Sequence, residues 1–195
     1  VEDNVEDFSG YSEGCMSGGD TFGIWEVVFA GGGCVEVVDE VLTMYPKDDE
    51  TGEVHSALVV GDNFEGFFSA DFRTVEQLED PVEYWHTAWL AWNYEDNEHF
   101  YYFILKENGY ELGKRDPDYE GGQRFLVTGH EISLDIGEWN NFRVEQVDNF
   151  IEVYVDGEKI LEFLDEETPY TSGKVGFYTE DALVEFDNVI VGHQQ

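Results

Sequence analysis

Trp85, Trp89, Trp92, Tyr94, Phe100, Tyr101, Tyr102 and Tyr110 crowd into the 26 residues from 85 to 110. Aromatic rings stack on the C–H faces of sugars, and tyrosine hydroxyls can meet sugar hydroxyls. This density is therefore the best candidate for ligand chemistry in the chain. Strict alternation along a strand places Trp85 and Trp89 on one face and Trp92 and Tyr94 on the other. One face packs a core, and the other either presents its rings to a sugar or simply fills the sheet surface. Four of the nine basic residues, Lys106, Lys114, Arg115 and Arg124, follow within 19 positions. On a shared sheet face, Lys106, Lys114 and Arg124 would hold a carboxylated or sulfated sugar, with arginine as a bidentate clamp. The neighbouring acids offer the same cations a plainer use, as cross-strand ion pairs. The candidate ligand set is Trp85, Trp92, Tyr94, Tyr101, Lys106, Lys114 and Arg124.

Motifs for catalysis are sparse. A retaining glycosidase needs paired carboxylates, and the Glu-x-Asp-x-x-Glu strand pattern that supplies them in jelly rolls is absent. With 45 acids, some pair falls at catalytic distance by chance. His55, His86, His99, His130 and His193 are scattered. His86 or His99 beside Tyr101 would make an acid–base pair, but a packed or solvated histidine explains them as well. No Gly-x-Ser-x-Gly turn and no phosphate loop occurs. No catalytic residue is assigned, and the balance leans away from an enzyme.

The elements that must position these residues are strands. Period-two alternation runs almost throughout, and helical periodicity is hard to find. The C-terminal third is the clearest case. Asn141–Val147, Ile151–Val155 and Lys159–Phe163 form a meander with turns at Asp148-Asn149 and Asp156-Gly157. About twelve to fourteen short strands are expected, with no linker and no repeat. That pattern predicts an all-β fold, a two-sheet antiparallel sandwich in one domain over 1–195.

The formal net charge is −36, from 45 Asp+Glu against 9 Lys+Arg, and the first 46 residues hold no Lys or Arg. Such a surface repels nucleic acid and anionic membranes, and it attracts water and cations. It suits a protein kept soluble in high salt, or one with specific cation sites. Hydrophobic residues make up 42%, enough for a packed core, so the acidity does not mean disorder. No apolar run approaches the ~18 residues of a membrane span. Cys15 and Cys34 lie in Gly-rich stretches without a Cys-x-x-Cys. They pair as a disulfide or remain two buried thiols. A start at Val1 instead of Met fits a mature secreted protein.

One order of segments stands out. Glu138-Trp139-Asn140-Asn141-Phe142-Arg143-Val144 precedes Ile151-Glu152-Val153-Tyr154-Val155-Asp156-Gly157, then Gly173-Lys174-Val175-Gly176-Phe177-Tyr178 and Phe186-Asp187-Asn188-Val189-Ile190-Val191. This order resembles the concanavalin A-like/laminin G-like jelly rolls, in particular the 3-keto-disaccharide hydrolase-like branch. Glu6-Asp7-Phe8-Ser9-Gly10 and Trp25-Glu26-Val27 also look like that branch's first strands. The resemblance implies a jelly-roll sandwich. It further implies a structural Ca²⁺ where the first and last strands meet, with Glu6, Asp7 and Asp187 at the matching positions.

Together these readings predict a secreted, non-catalytic, Ca²⁺-stabilised jelly-roll module that binds extracellular carbohydrate. The alternative is a self-assembling subunit of an extracellular filament or matrix, with like subunits as partners. A polysaccharide-active enzyme is the third reading.

Overall fold

The computed structural model describes residues 5–11, 14–47 and 53–193. Among them it contains sixteen strands, numbered here in chain order, and one 3₁₀ turn at Glu120–Gly122. The first sheet runs β14 (Glu158–Leu164), β13 (Phe150–Val155), β12 (Asn140–Val147), β7 (Gly66–Gln77), β16 (Ala182–His193), β5 (Val41–Tyr45), β4 (Cys34–Val38), and β1 (Val5–Glu6) pairs with β16. The second runs β11 (Gln123–Gly129), β10 (Gly109–Arg115), β9 (His99–Lys106), β8 (Ala88–Asp96), β15 (Lys174–Glu180), β6 (Ser56–Asn63), β3 (Trp25–Phe29), β2 (Thr21–Phe22). Every strand pairing is antiparallel, as the alternation predicts. No helix among the described residues is long and apolar enough to cross a membrane.

Turn chemistry fixes the register. Asp156 and Gly157 both take positive φ, 51° and 82°, which matches the twist of a two-residue hairpin between β13 and β14. Asp39 and Glu40, at φ 50° and 66°, turn the chain between β4 and β5. Cys15 and Cys34 are joined as a disulfide, with Cα atoms 5.2 Å apart. Beside it Met16 bridges to Val35, so the crosslink ties the Gly-rich segment to the edge strand β4.

The two sheets face each other across an aromatic core. Phe177 of β15 stacks on Phe186 of β16 with centroids 4.3 Å apart. Phe142 of β12 meets Phe103 of β9 at 5.5 Å and Trp92 of β8 at 6.1 Å. Each fully buried ring of this kind contributes roughly 1.5–3 kcal/mol of transfer free energy.

Candidate functional site

The second sheet is apolar on both faces. Its inner face joins the core. Its outer face carries a separate cluster of Trp89, Ala91, Phe100, Tyr102 and Ile104, with Tyr94 and Tyr178 packed against it. Rings centre on Trp89, which lies 5.0 Å from Tyr102 and 4.8 Å from Tyr178. The Trp89 indole is pinned from above, where Nε1 donates to the Trp85 carbonyl at 2.9 Å. A cleft of about 180 Å³ opens over this floor, walled by Arg115 and Gln123 on one side and by Phe29, Leu58 and Glu180 on the other.

A polar chain runs beside the rings. Gln123 Nε2 donates to the Tyr102 hydroxyl at 2.7 Å, Tyr102 donates to Glu111 Oε1 at 2.9 Å, and Lys106 Nζ donates to Glu111 Oε2 at 3.1 Å. The path needs Gly113, which lies opposite Tyr102. A Cβ there would sit 2.1 Å from the Tyr102 hydroxyl, so only glycine lets the phenol lie across β10. At the other wall, Tyr178 donates to Glu180 Oε1 at 2.5 Å. Burial raises the Glu180 carboxyl above its ordinary range, against the lowering pull of that hydrogen bond.

The sequence-predicted ligand residues divide between the two faces. Trp92, Tyr101, Lys114 and Arg124 form one cross-strand row, paired in that order across β8, β9, β10 and β11. Trp92 and Tyr101 have no exposed surface and belong to the core. Trp92 Nε1 donates to Gln146 at 2.9 Å, and Tyr101 donates to Asp165 at 2.5 Å. Lys114 is fully buried, and its Nζ donates to Asp165 at 2.8 Å and to the carbonyls of Glu167 and Thr168 at 2.5 and 3.1 Å. Burial works to raise the Asp165 carboxyl, but the hydrogen bonds from Lys114, Tyr101 and the Glu167 amide outweigh it and hold it below its usual range. Arg124 pairs with Glu167 at 2.6 Å. Trp92, Tyr101 and Lys114 are therefore framework, because alternation turns their row toward the first sheet, while Arg124 at its end is partly exposed.

Lys106 lies on the outer face but is paired with Glu111 at 3.1 Å. Trp85 precedes β8 and is 43% exposed at the rim. Tyr94 does sit with the outer cluster, although strict alternation groups it with Trp92. The reason is a bulge: Asn93 adopts φ 51° and the β8–β9 register shifts between Trp92 and Asp96. Arg115, Gln123, Tyr178 and Glu180 were not singled out as ligand residues from sequence. Arg115 pairs with Phe100 on β9 and Gln123 on β11, and that row is the readable signal for the outer wall.

The predicted metal residues lie where β1 meets β16, as Val5 pairs with Ile190 and Glu6 with Val189. Both Glu6 oxygens are engaged, by the Phe8 amide and the Tyr11 hydroxyl at 2.8 Å each. Asp7 accepts from the amide and hydroxyl of Ser9. Asp187 lies beside its cross-strand partner Asp71. Its carboxyl is raised by burial and by the charges of Asp71, Asp7 and Glu40. Carboxylate oxygens are the donors Ca²⁺ takes, but among the described residues no three such side chains stand close enough to form a metal site, and Glu6, Asp71 and Asp187 each have both oxygens hydrogen-bonded.

The sequence pattern of the 3-keto-alpha-glucoside-1,2-lyase-like domain matches residues 6–192. The chain belongs to that family. Solved structures with the same jelly-roll fold include the carbohydrate binding module CBM66 from Bacillus subtilis, at 13% identity and a TM-score of 0.65, covering 85% of this chain and 93% of that one. A Bacillus subtilis protein of unknown function with a galectin-like fold aligns at 14% identity and TM-score 0.61, covering 85% and 87%. SCLam, a non-specific endo-beta-1,3(4)-glucanase from family GH16, aligns at 10% identity and TM-score 0.60, covering 95% and 88%. Among curated proteins no match was found. These likenesses and the family match bear out the resemblance drawn from the segments between 138 and 191.

Proposed function

We propose that this family member binds carbohydrate in the cleft on the outer face of its second sheet, in an extracellular setting. The observation that carries the reading is the Trp89 floor, with Tyr102 and Tyr178 against it and the Gln123–Tyr102–Glu111 chain alongside. Rings take the C–H face of a sugar, and the Gln123 amide, the Tyr178 phenol and the Glu180 carboxyl line the cleft where its hydroxyls would sit. A cleft of about 180 Å³ is small beside the ~300 Å³ at which sites for drug-sized ligands begin, so it suits one sugar unit of a longer glycan. The Cys15–Cys34 disulfide fits an oxidising compartment. Isothermal titration against a panel of oligosaccharides tests the reading. Binding by the wild type and its loss in Trp89→Ala support it, and a panel with no binder sinks it.

A second reading has support from Glu180. A 1,2-lyase acting on a 3-keto glucoside must take the proton at C2, beside the keto group. The C1–O bond then breaks, a C1–C2 double bond forms and the leaving oxygen gains a proton. A carboxylate with a raised pKa is a suitable base for that proton, and Glu180 meets the requirement inside the cleft. Under this reading Glu180→Gln abolishes turnover of a 3-keto glucoside while leaving binding intact.

We further propose that Ca²⁺ bound near Asp7, Asp71 and Asp187 stabilises the junction of the first and last strands. The mutual repulsion that raises Asp187 supports this, since a divalent cation would relieve it.

A further inference from the structure

Arg115 differs from the other cations of this chain. Lys106, Lys114 and Arg124 each stand against a carboxylate. So do Arg73, Arg143, Lys159 and Lys174. Lys47 is engaged as well. Among the described residues no carboxylate stands within ion-pairing distance of Arg115, in a chain that carries 45 acids. It is also half-buried and lines the cleft, next to Gln123 in the register of β10 and β11. Its charge reaches the hydroxyls of Tyr102 and Tyr178 and the carboxyl of Glu180, so it is felt across the whole floor.

A surface of net charge −36 repels anions at long range. An unpaired guanidinium in a ring-floored cleft is a local exception to that field. Guanidinium is a rigid, always-charged fork that matches the planar oxygens of a carboxylate or the tetrahedral oxygens of a sulfate. Partial burial strengthens such a contact because water competes less for it. Neutral sugars need no such charge, and Gln123 and Glu180 in the cleft lining already offer partners for their hydroxyls.

Building on the carbohydrate reading of this cleft, we propose that the sugar unit it takes carries an anionic group, a carboxylate or a sulfate, and that Arg115 is the residue that holds it. The test is isothermal titration of the full chain with a uronate-ended disaccharide, a sulfated disaccharide and the neutral counterpart of each. Wild type is expected to bind at least one acidic disaccharide tenfold or more tighter than its neutral counterpart, and the arm that shows the preference identifies the group. Arg115→Gln should erase the preference and leave the melting temperature close to wild type. Arg115→Lys, which keeps the charge but loses the fork, should retain part of it and guards against a folding defect in the first variant. Equal binding of acidic and neutral sugars, or a preference that survives Arg115→Gln, overturns the proposal while leaving the carbohydrate reading standing. No binding of any sugar overturns both.

Discussion

Trp89 and Trp92 leave the same strand on opposite sides. Trp89 rests against Tyr102 and Tyr178 at the floor of the outer cleft, whereas Trp92 stacks on Tyr101 inside the sandwich at 5.6 Å. The two indoles therefore answer to different measurements. Trp92→Ala opens a cavity in a closed core and should cost about 3–5 kcal/mol, visible as a large fall in the chemical-denaturation midpoint. Trp89→Ala should weaken sugar binding at least tenfold while the protein stays folded. If Trp89→Ala unfolds the chain and Trp92→Ala does not, the assignment of the two faces is wrong.

The buried pair Lys114–Asp165 sets an acid limit on stability. The Asp165 carboxyl is held below its ordinary range by Lys114, Tyr101 and the Glu167 amide, against its burial. A depressed carboxylate contributes stability that is present above its unfolded pKa of ~3.9 and is lost as pH falls through the folded value. Urea unfolding followed from pH 6 down to pH 2 should therefore show a loss that Asp165→Asn flattens. Lys114→Met leaves the acid buried without its cation and should cost about 3–5 kcal/mol at neutral pH. A Lys114→Met protein as stable as wild type would show that the pair is dispensable.

At the junction of β1 and β16 the sign is reversed. Asp187 is raised by burial and by Asp71, Asp7 and Glu40, so its ionised form is unfavourable in the fold and stability rises as pH falls through its pKa. Scanning calorimetry should show Ca²⁺ raising the melting temperature and chelator lowering it. Asp187→Asn should match or exceed wild-type stability in chelator and lose the response to Ca²⁺. A wild type indifferent to Ca²⁺ would dismiss the cation.

The disulfide links residues 19 positions apart. Closing a loop of that size contributes about 3 kcal/mol by restricting the unfolded chain. Cys15→Ser with Cys34→Ser should lower the unfolding free energy by about that amount and leave sugar binding unchanged at temperatures where the protein is folded. An unaltered denaturation midpoint would mean that the edge strand β4 is held by its pairing alone.

Much of this arrangement is legible in the sequence, and the exception has a definite cause. Alternation and turn residues such as Asp156-Gly157 indicate an antiparallel sandwich. The residues Trp92, Tyr101, Lys114 and Arg124, drawn from sequence as ligand contacts, do form one continuous row. What alternation could not decide is which way that row faces. Strands β8, β9 and β10 are buried on both faces, so neither set of side chains is marked by polarity as the outside one. A one-residue offset exchanges the faces. The bulge at Asn93 adds to this by carrying Tyr94 across, and no local residue pattern announces it. Arg115 stayed unmarked because its distinction is the lack of an ion pair, which only the folded neighbours reveal.

Tyr178 comes to the cleft floor from β15, which lies between β8 and β6 in the second sheet. The hairpins from β8 to β11 can zip locally, but the floor stays incomplete until this late strand inserts between partners distant in sequence. A bound glycan would therefore act as a clasp on the finished sheet. Because only the closed form offers it a seat, it should slow hydrogen exchange in β6 and β15 as well as in the hairpins it touches.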